Sequence, residues 1–223
     1  YLSFILINIQ NYIKEKNFIK KIYTDFIHIG DSSKFKTKNL GENFTKLNVF
    51  FFEYINEYNI PNGYLEHIDK NSVKLSNHEN FSFYIKINNV VNKNLAKTFS
   101  KKEYDTLYIP ILETYISEQN NLINDNHIAC FDLAPLADFK VMNRICTKLN
   151  VVLKSFFERR NLIFAELNCF FGKYQDKIFL IGDFSPLSLK VFDPSKLKDL
   201  NPYKLNSAQA LKNYSDYLMD VIK

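Results

Sequence analysis

The residues best suited to do chemistry are an acid and a hydroxyl in one short stretch: Asp183 and Ser185, within residues 162–194 (LIFAELNCFFGKYQDKIFLIGDFSPLSLKVFDP). Residues 162–171 form an apolar and aromatic run. Residues 172–177 carry turn chemistry. Residues 178–181 are a second apolar run, broken by Gly-Asp-Phe-Ser-Pro. The pattern predicts a β-hairpin followed by a polar loop. Two buried strands that deliver a carboxylate and a hydroxyl at their mouth suit a metal-nucleotide site. Asp183 would offer a hard oxygen to Mg²⁺. The same residue types also describe a core hairpin ended by an ordinary Asp/Ser turn. Glu166 lies in the first strand, where it lacks an obvious polar companion. His127 has the chemistry of a base, but a helix-capping or core-edge histidine is the simpler reading.

The hydrophobic pattern supplies the elements that must hold these groups. Residues 18–29 (FIKKIYTDFIHI) partly alternate and predict a strand, with a turn at 30–33. Residues 42–59 predict a helix, because Phe44, Leu47, Phe51 and Ile55 recur at helical spacing and Asn59-Ile60-Pro61 ends it. Residues 72–75 and 81–90 predict strands, with a turn at 77–80. Residues 135–161 predict the longest helix, with Val141, Ile145, Leu149, Val152 and Phe156 as its apolar stripe. Lys140, Arg144, Lys148 and Lys154 lie off that stripe and read as solvated. A closing helix at 207–223 packs through Ala210, Tyr214, Tyr217, Leu218 and Ile222.

With 223 residues and 46% hydrophobic content, the chain can build a sizeable core. Its 21 Phe and 14 Tyr, with no Trp, make that core aromatic. Only 5 Gly and 6 Pro argue against a disordered chain. The net charge of +5 is compatible with anionic partners such as nucleotides or RNA, but no nucleic-acid motif is present, and a solvated lysine surface explains the charge. Cys130, Cys146 and Cys169 are odd in number and lack CxxC spacing, which predicts free, mostly buried thiols in a reducing compartment. Four scattered His residues exclude a His-rich metal cluster. The apolar residues 2–9 fall short of the roughly 18 that a membrane span needs. The chain begins at Tyr1, so a preceding segment is expected and a targeting peptide stays open.

Several stretches together resemble the phosphoribosylaminoimidazole-succinocarboxamide synthetases (SAICAR synthetases) of purine biosynthesis, from about residue 30 to residue 223. The 42–59 helix followed by NIPNGYLEHI is similar to that family's helix and G-I-P-T-x-F-I-x-x-L. Residues 88–98 (NNVVNKNLAKT) resemble the family's loop R-N-x-A-A-G-S-L-x-K-R and keep Asn89, Leu95 and Lys97, and residues 108–117 resemble its next strand. Residues 120–127 resemble D-P-L-I/V-N/S-E-x-H and keep Leu122, Ile123, Asn124 and His127. The opening stretch resembles V-D-F-K-L-E-F-G followed by D-E-x-S-P-D-x-x-R-L-W-D. The family's Gly-Lys-Ala-Lys hairpin, which covers the ATP phosphates, is matched most nearly by Tyr12-Ile13-Lys14-Glu15-Lys16, without the glycine.

The resemblance implies an α+β (α/β two-lobe) fold, with a sheet-rich lobe and one helix over 1–87 and an α/β lobe over 88–223. It implies an ATP-dependent ligation, in which Lys14, Lys16, Glu166 and Asp183 would contact Mg-ATP and Asp183 the metal. Lys97 and Ser185 would contact substrate, and Asp183 and Lys190 would be catalytic. The departures are equally specific. Asn88 and Lys190 stand for Arg, Asn168 for Lys, Phe170 for Glu, Glu166, Gly182 and Leu187 for Asp; Phe170 and Leu187 are expected to fill the cleft, which favours stability over binding. One lost transition-state contact typically costs about 2.7–4 kcal/mol. The resulting expectation is a non-catalytic relative that needs no cofactor. It would serve as a structural or accessory subunit among other protein subunits, in a mitochondrial or cytoplasmic compartment. The alternative is a divergent ATP-dependent SAICAR synthetase using Mg-ATP. A third reading is a nucleotide sensor that binds ATP without turnover.

Overall fold

Period-two alternation builds the first layer. In the computed structural model, which describes residues 6–29 and 33–223, β1 (Leu6–Lys14) pairs antiparallel with β2 (Phe18–Ile29). The expected turn at 30–33 and the apolar residues 2–9 lie partly outside the described residues. Ile19, Lys21, Tyr23 and Ile27 of β2 point inward and are buried. With β3 (Ser33–Lys36), β4 (Tyr64–Asp69) and β5 (Ser72–Ser76), they make a five-stranded antiparallel sheet of order β1-β2-β5-β4, in which β3 also pairs with β2. Helix α1 (Leu40–Asn56) covers it with Phe44, Leu47, Phe51 and Ile55, all fully buried as the spacing predicts. The helix stops three residues short of the expected end, and Asn59 takes a left-handed φ of 52° just before Pro61.

The second sheet is also antiparallel. Its strands are β6 (Glu79–Val90), β7 (Thr106–Ile116), β8 (Leu122–Ile123), β9 (Ile163–Tyr174), β10 (Lys177–Gly182) and β11 (Leu189–Phe192). The order is β10-β9-β6-β7-β8, and β11 shares the outer edge of β9 with β10. Residues 88–98, expected as a loop, contain a short helix, α2 (Lys93–Phe99). It is capped by the Asn92 side chain, which accepts from the Leu95 N–H at 3.0 Å. Helix α3 (Asp125–Cys130) begins with a capping box, in which His127 accepts from the Asn124 N–H at 3.2 Å. His127 therefore caps a helix.

Helix α4 (Leu136–Glu158) packs on one face of this sheet. Met142, Cys146, Leu149, Leu153 and Phe157 are buried there, facing Ile85, Ile87, Leu167, Cys169 and Phe171. The hairpin turn expected at 172–177 is tighter: Gln175 and Asp176 make it, with φ of 47° and 60°. Gly172 instead belongs to β9, because a Cβ there would come within 2.8 Å of the His78 ring.

The sheets divide between Ser76 and Glu79, so the expected boundary at residue 87 falls inside β6. Residues 60–63 tie them together. The Gly63 N–H donates to the Leu180 carbonyl at 2.8 Å, and the Leu180 N–H to the Pro61 carbonyl at 3.0 Å. Helix α5 (Ala208–Val221), capped by Ser207, closes the chain with Leu211, Tyr214 and Leu218 buried. The Tyr214 hydroxyl accepts from the Val191 N–H at 2.7 Å, on the outer side of β11. No helix among the described residues is long and apolar enough to cross a membrane.

Candidate active site

The turn after β10 is built around one carboxylate. Gly182 sits at φ 114°, a conformation L side chains rarely adopt, and sends the chain sharply into Asp183. Asp183 is 7% exposed. Its Oδ1 accepts from Asn48 Nδ2 at 3.0 Å and from the Ser185 N–H at 3.1 Å, and its Oδ2 from the Ser185 hydroxyl at 2.6 Å. Asn48 reaches across from α1 and also accepts from the Phe184 N–H at 3.1 Å. The helix of the first layer thus fixes the loop of the second.

Asp183 opens on a cleft of about 440 Å³ between the sheets. Tyr12 and Lys21 line it from the first sheet, Phe81 and Phe170 from the second, and Leu187 from the turn. Phe170 and Leu187 were expected to fill this space; they wall it instead. Lys21 is only 3% exposed. Its ammonium lies 5.6 Å from the centre of the Tyr12 ring and 5.0 Å from that of Tyr23. Burial disfavours its charge, but the neighbouring Tyr12, Tyr23 and Asp183 outweigh that and raise its pKa, so it stays protonated.

The face of the second sheet turned away from α4 is charged and adjoins the cleft through Phe170. Tyr84, Lys86 and Asn88 of β6 lie beside Glu166, Asn168 and Phe170 of β9, and beside Glu113 and Tyr115 of β7. Lys86 is 3.7 Å from Glu166 Oε1, and its ammonium is 4.7 Å from the centre of the Tyr115 ring. Glu113 Oε2 accepts from Asn88 Nδ2 at 3.0 Å and from the Tyr115 hydroxyl at 2.9 Å. Lys190 pairs with Glu166 across β11 and β9, and its ammonium donates to the Pro186 carbonyl at 2.9 Å. Part of Lys190 reaches the surface, but its ammonium lies deep enough that burial pulls its pKa down to about 8. Glu166 opposes that shift and Lys86 reinforces it. Glu166 therefore does not lack polar companions, as the sequence suggested: it stands among two lysines. The pairing also places Lys86 directly opposite Asn168, so a cation stands on the neighbouring strand.

Of the residues nominated from sequence, Asp183 and Ser185 meet at the cleft mouth, and Glu166 and Lys190 meet on the adjoining face. Lys14 and Lys16 are exposed at the β1–β2 end, and Lys97 is exposed on the last turn of α2; none of the three lines the cleft. Lys21, Lys86, Glu113 and Asn48 escaped notice. The signal for Lys21 was its place between Ile19 and Tyr23, an inward position by alternation. Lys86 holds the corresponding place between Tyr84 and Asn88.

A divalent metal fits this donor set poorly. Mg²⁺ wants hard oxygens free to turn toward it in near-octahedral geometry. Asp183 is the sole carboxylate among the described residues lining the cleft, and both its oxygens are engaged. Among the described residues no three His, Cys, Asp or Glu side chains gather closely enough to hold an ion.

A sequence model of the family described as SAICAR synthetase matches residues 10–215. The chain belongs to the SAICAR synthetase family. The phosphoribosylaminoimidazole-succinocarboxamide synthase of Sulfolobus acidocaldarius is 23% identical over 204 residues, covering 87% of each chain. Among solved structures, the SAICAR synthetase of Pyrococcus horikoshii superposes with a TM-score of 0.85 at 22% identity, covering 96% of this chain and 97% of that one. A type-2 SAICAR synthetase in complex with ADP gives 0.86 at 21% identity, covering 96% and 94%. The two-sheet α+β architecture expected from the sequence is thus the fold of this family.

Proposed function

We propose that the chain is a divergent SAICAR synthetase, an ATP-dependent ligase joining the amine of aspartate to the carboxylate of an aminoimidazole ribotide. The observation that carries this reading is a set of buried ionisable groups at and beside the cleft. Lys21, Asp183 and Glu166 are 3%, 7% and 8% exposed, and the Lys190 ammonium is enclosed beside Glu166. Each such ion costs several kcal/mol of desolvation unless its partners return it. A chain used for its shape alone would gain from apolar residues at these places; this one sets Lys21 and Asp183 in an open cleft and Glu166 and Lys190 on the face beside it.

In the ligation, a substrate carboxylate oxygen attacks the γ-phosphorus of ATP and ADP leaves. The aspartate amine then attacks the acyl phosphate, phosphate departs, and the nitrogen loses a proton. Lys21 offers a positive charge to nucleotide phosphates in the cleft; that a type-2 relative is solved in complex with ADP supports a nucleotide as the ligand. Lys86 and Lys190 offer positive charge to an anionic ribotide on the adjoining face, where Glu166 pairs with Lys86 and lies across the strand from Lys190. Ser185 fixes Asp183. Lys14, Lys16 and Lys97 are candidate outer contacts to the same anions, each testable by alanine substitution.

The test is to incubate the protein with ATP, aspartate and the aminoimidazole carboxylate ribotide and to follow succinocarboxamide product by mass spectrometry. Product is expected from the wild type and not from Lys190→Met. A folded, nucleotide-binding protein that forms no product would overturn the ligase reading. It would favour the second one, a non-catalytic subunit of a larger assembly. That reading draws on Asn88 and Phe170, which stand where related enzymes carry charges.

A further inference from the structure

The cleft presents a cation where a nucleotide site calls for a metal ion. Bound Mg²⁺ is usually held by one or two carboxylates together with phosphate oxygens and water. The single carboxylate among the described residues lining it, Asp183, accepts hydrogen bonds from Asn48, from the Ser185 N–H and from the Ser185 hydroxyl. Turning it toward an ion would strand those donors in a buried place. Lys21 reaches the same spot from the opposite wall. A Cβ built on Gly182 would stand 3.5 Å from Lys21 Nζ, so the ammonium lies against the backbone one residue before Asp183. The rings of Tyr12 and Tyr23 flank it. A divalent ion placed there would meet a fixed like charge at close range. A compact ammonium with three donors is itself a good phosphate ligand.

We propose that this cleft binds nucleoside di- and triphosphates without a divalent metal ion, the Lys21 ammonium neutralising the phosphates in its place. The proposal rests on the nucleotide reading of the cleft given above.

Isothermal titration of the wild-type chain with ADP and with ATP, once in Mg²⁺ and once in EDTA, tests it. The dissociation constants in the two buffers should agree within about threefold, and Lys21→Met should weaken binding at least about tenfold in both. A loss of more than about threefold on adding EDTA would place a metal in the site; the nucleotide reading would survive and the proposal would fail. Unchanged affinity in a folded Lys21→Met variant would remove the role given to Lys21. No binding in either buffer would end the nucleotide reading, and the proposal with it. The comparison of buffers uses wild-type protein, so it stands even if the variant does not fold.

Discussion

Replacing Lys190 with methionine should stabilise the protein at neutral pH. The Lys190 ammonium is enclosed, and burial lowers its pKa from 10.5 to about 8. That displacement corresponds to a penalty of about 3 kcal/mol on the charged form, an upper figure because part of the residue is exposed. Methionine keeps the aliphatic packing and removes the penalty. It also removes the hydrogen bond to the Pro186 carbonyl, worth about 1 kcal/mol. Glu166 keeps Lys86 as its partner at 3.7 Å. A net gain of about 2 kcal/mol near pH 7 follows. Its pH dependence is diagnostic. Below about pH 8 the lysine is charged in both folded and unfolded chains. Between there and 10.5 the unfolded chain holds a proton that the folded one has lost, so wild-type stability rises with pH through this window. Wild type should therefore recover about 2 kcal/mol on the variant between about pH 7 and pH 9.5. Urea unfolding of both proteins at the two pH values, followed by circular dichroism, measures the difference while the tyrosines common to both cancel. A wild-type-minus-variant difference that stays flat within about 0.5 kcal/mol would refute the reasoning.

Gly182→Ala forces a Cβ onto a φ of 114° and should cost about 1–3 kcal/mol, seen as a lower Tm. Asp183→Ala leaves the Ser185 hydroxyl and the Asn48 amide without their acceptor; it should cost about 1–3 kcal/mol in urea unfolding and abolish product formation. Of the three thiols, exposed Cys130 should react rapidly with a disulfide reagent in the native protein. Cys146 and Cys169 are buried, and burial raises the Cys146 thiol, so these two should react only on unfolding. Rapid titration of more than one thiol in the folded state would contradict this.

Periodicity made the frame legible. Phe44, Leu47, Phe51 and Ile55 disclosed α1, and the two apolar runs flanking residues 172–177 disclosed the hairpin of β9 and β10. Helix α2 was hidden because NNVVNKNLAKT has no apolar stripe, and its start depends on one Asn92 side-chain bond. Gly172 read as a turn residue because sequence does not reveal that the His78 ring lies against it. The candidate site divides in the same way. Asp183 and Ser185 are two residues apart, so their contact could be read locally. Lys21, Asn48 and Lys86 meet their partners across 80 or more positions of the chain, and those encounters exist only once strands pair. Substitution of Phe for a charge at 170 suggested a filled cleft, yet the ring stands at the wall beside Tyr84, at 5.2 Å between centroids.

The Tyr214 hydroxyl does for β11 what a further strand would do. It accepts from the Val191 N–H and lies 3.1 Å from the Leu189 and Val191 carbonyls, so the outer edge of this short strand is occupied by a side chain from α5. An open edge is a template for another chain. With that edge occupied, β11 has little free backbone to offer another strand. Trimming the chain before residue 207 should uncover the edge, remove the buried Leu211, Tyr214 and Leu218, and raise aggregation measured by light scattering.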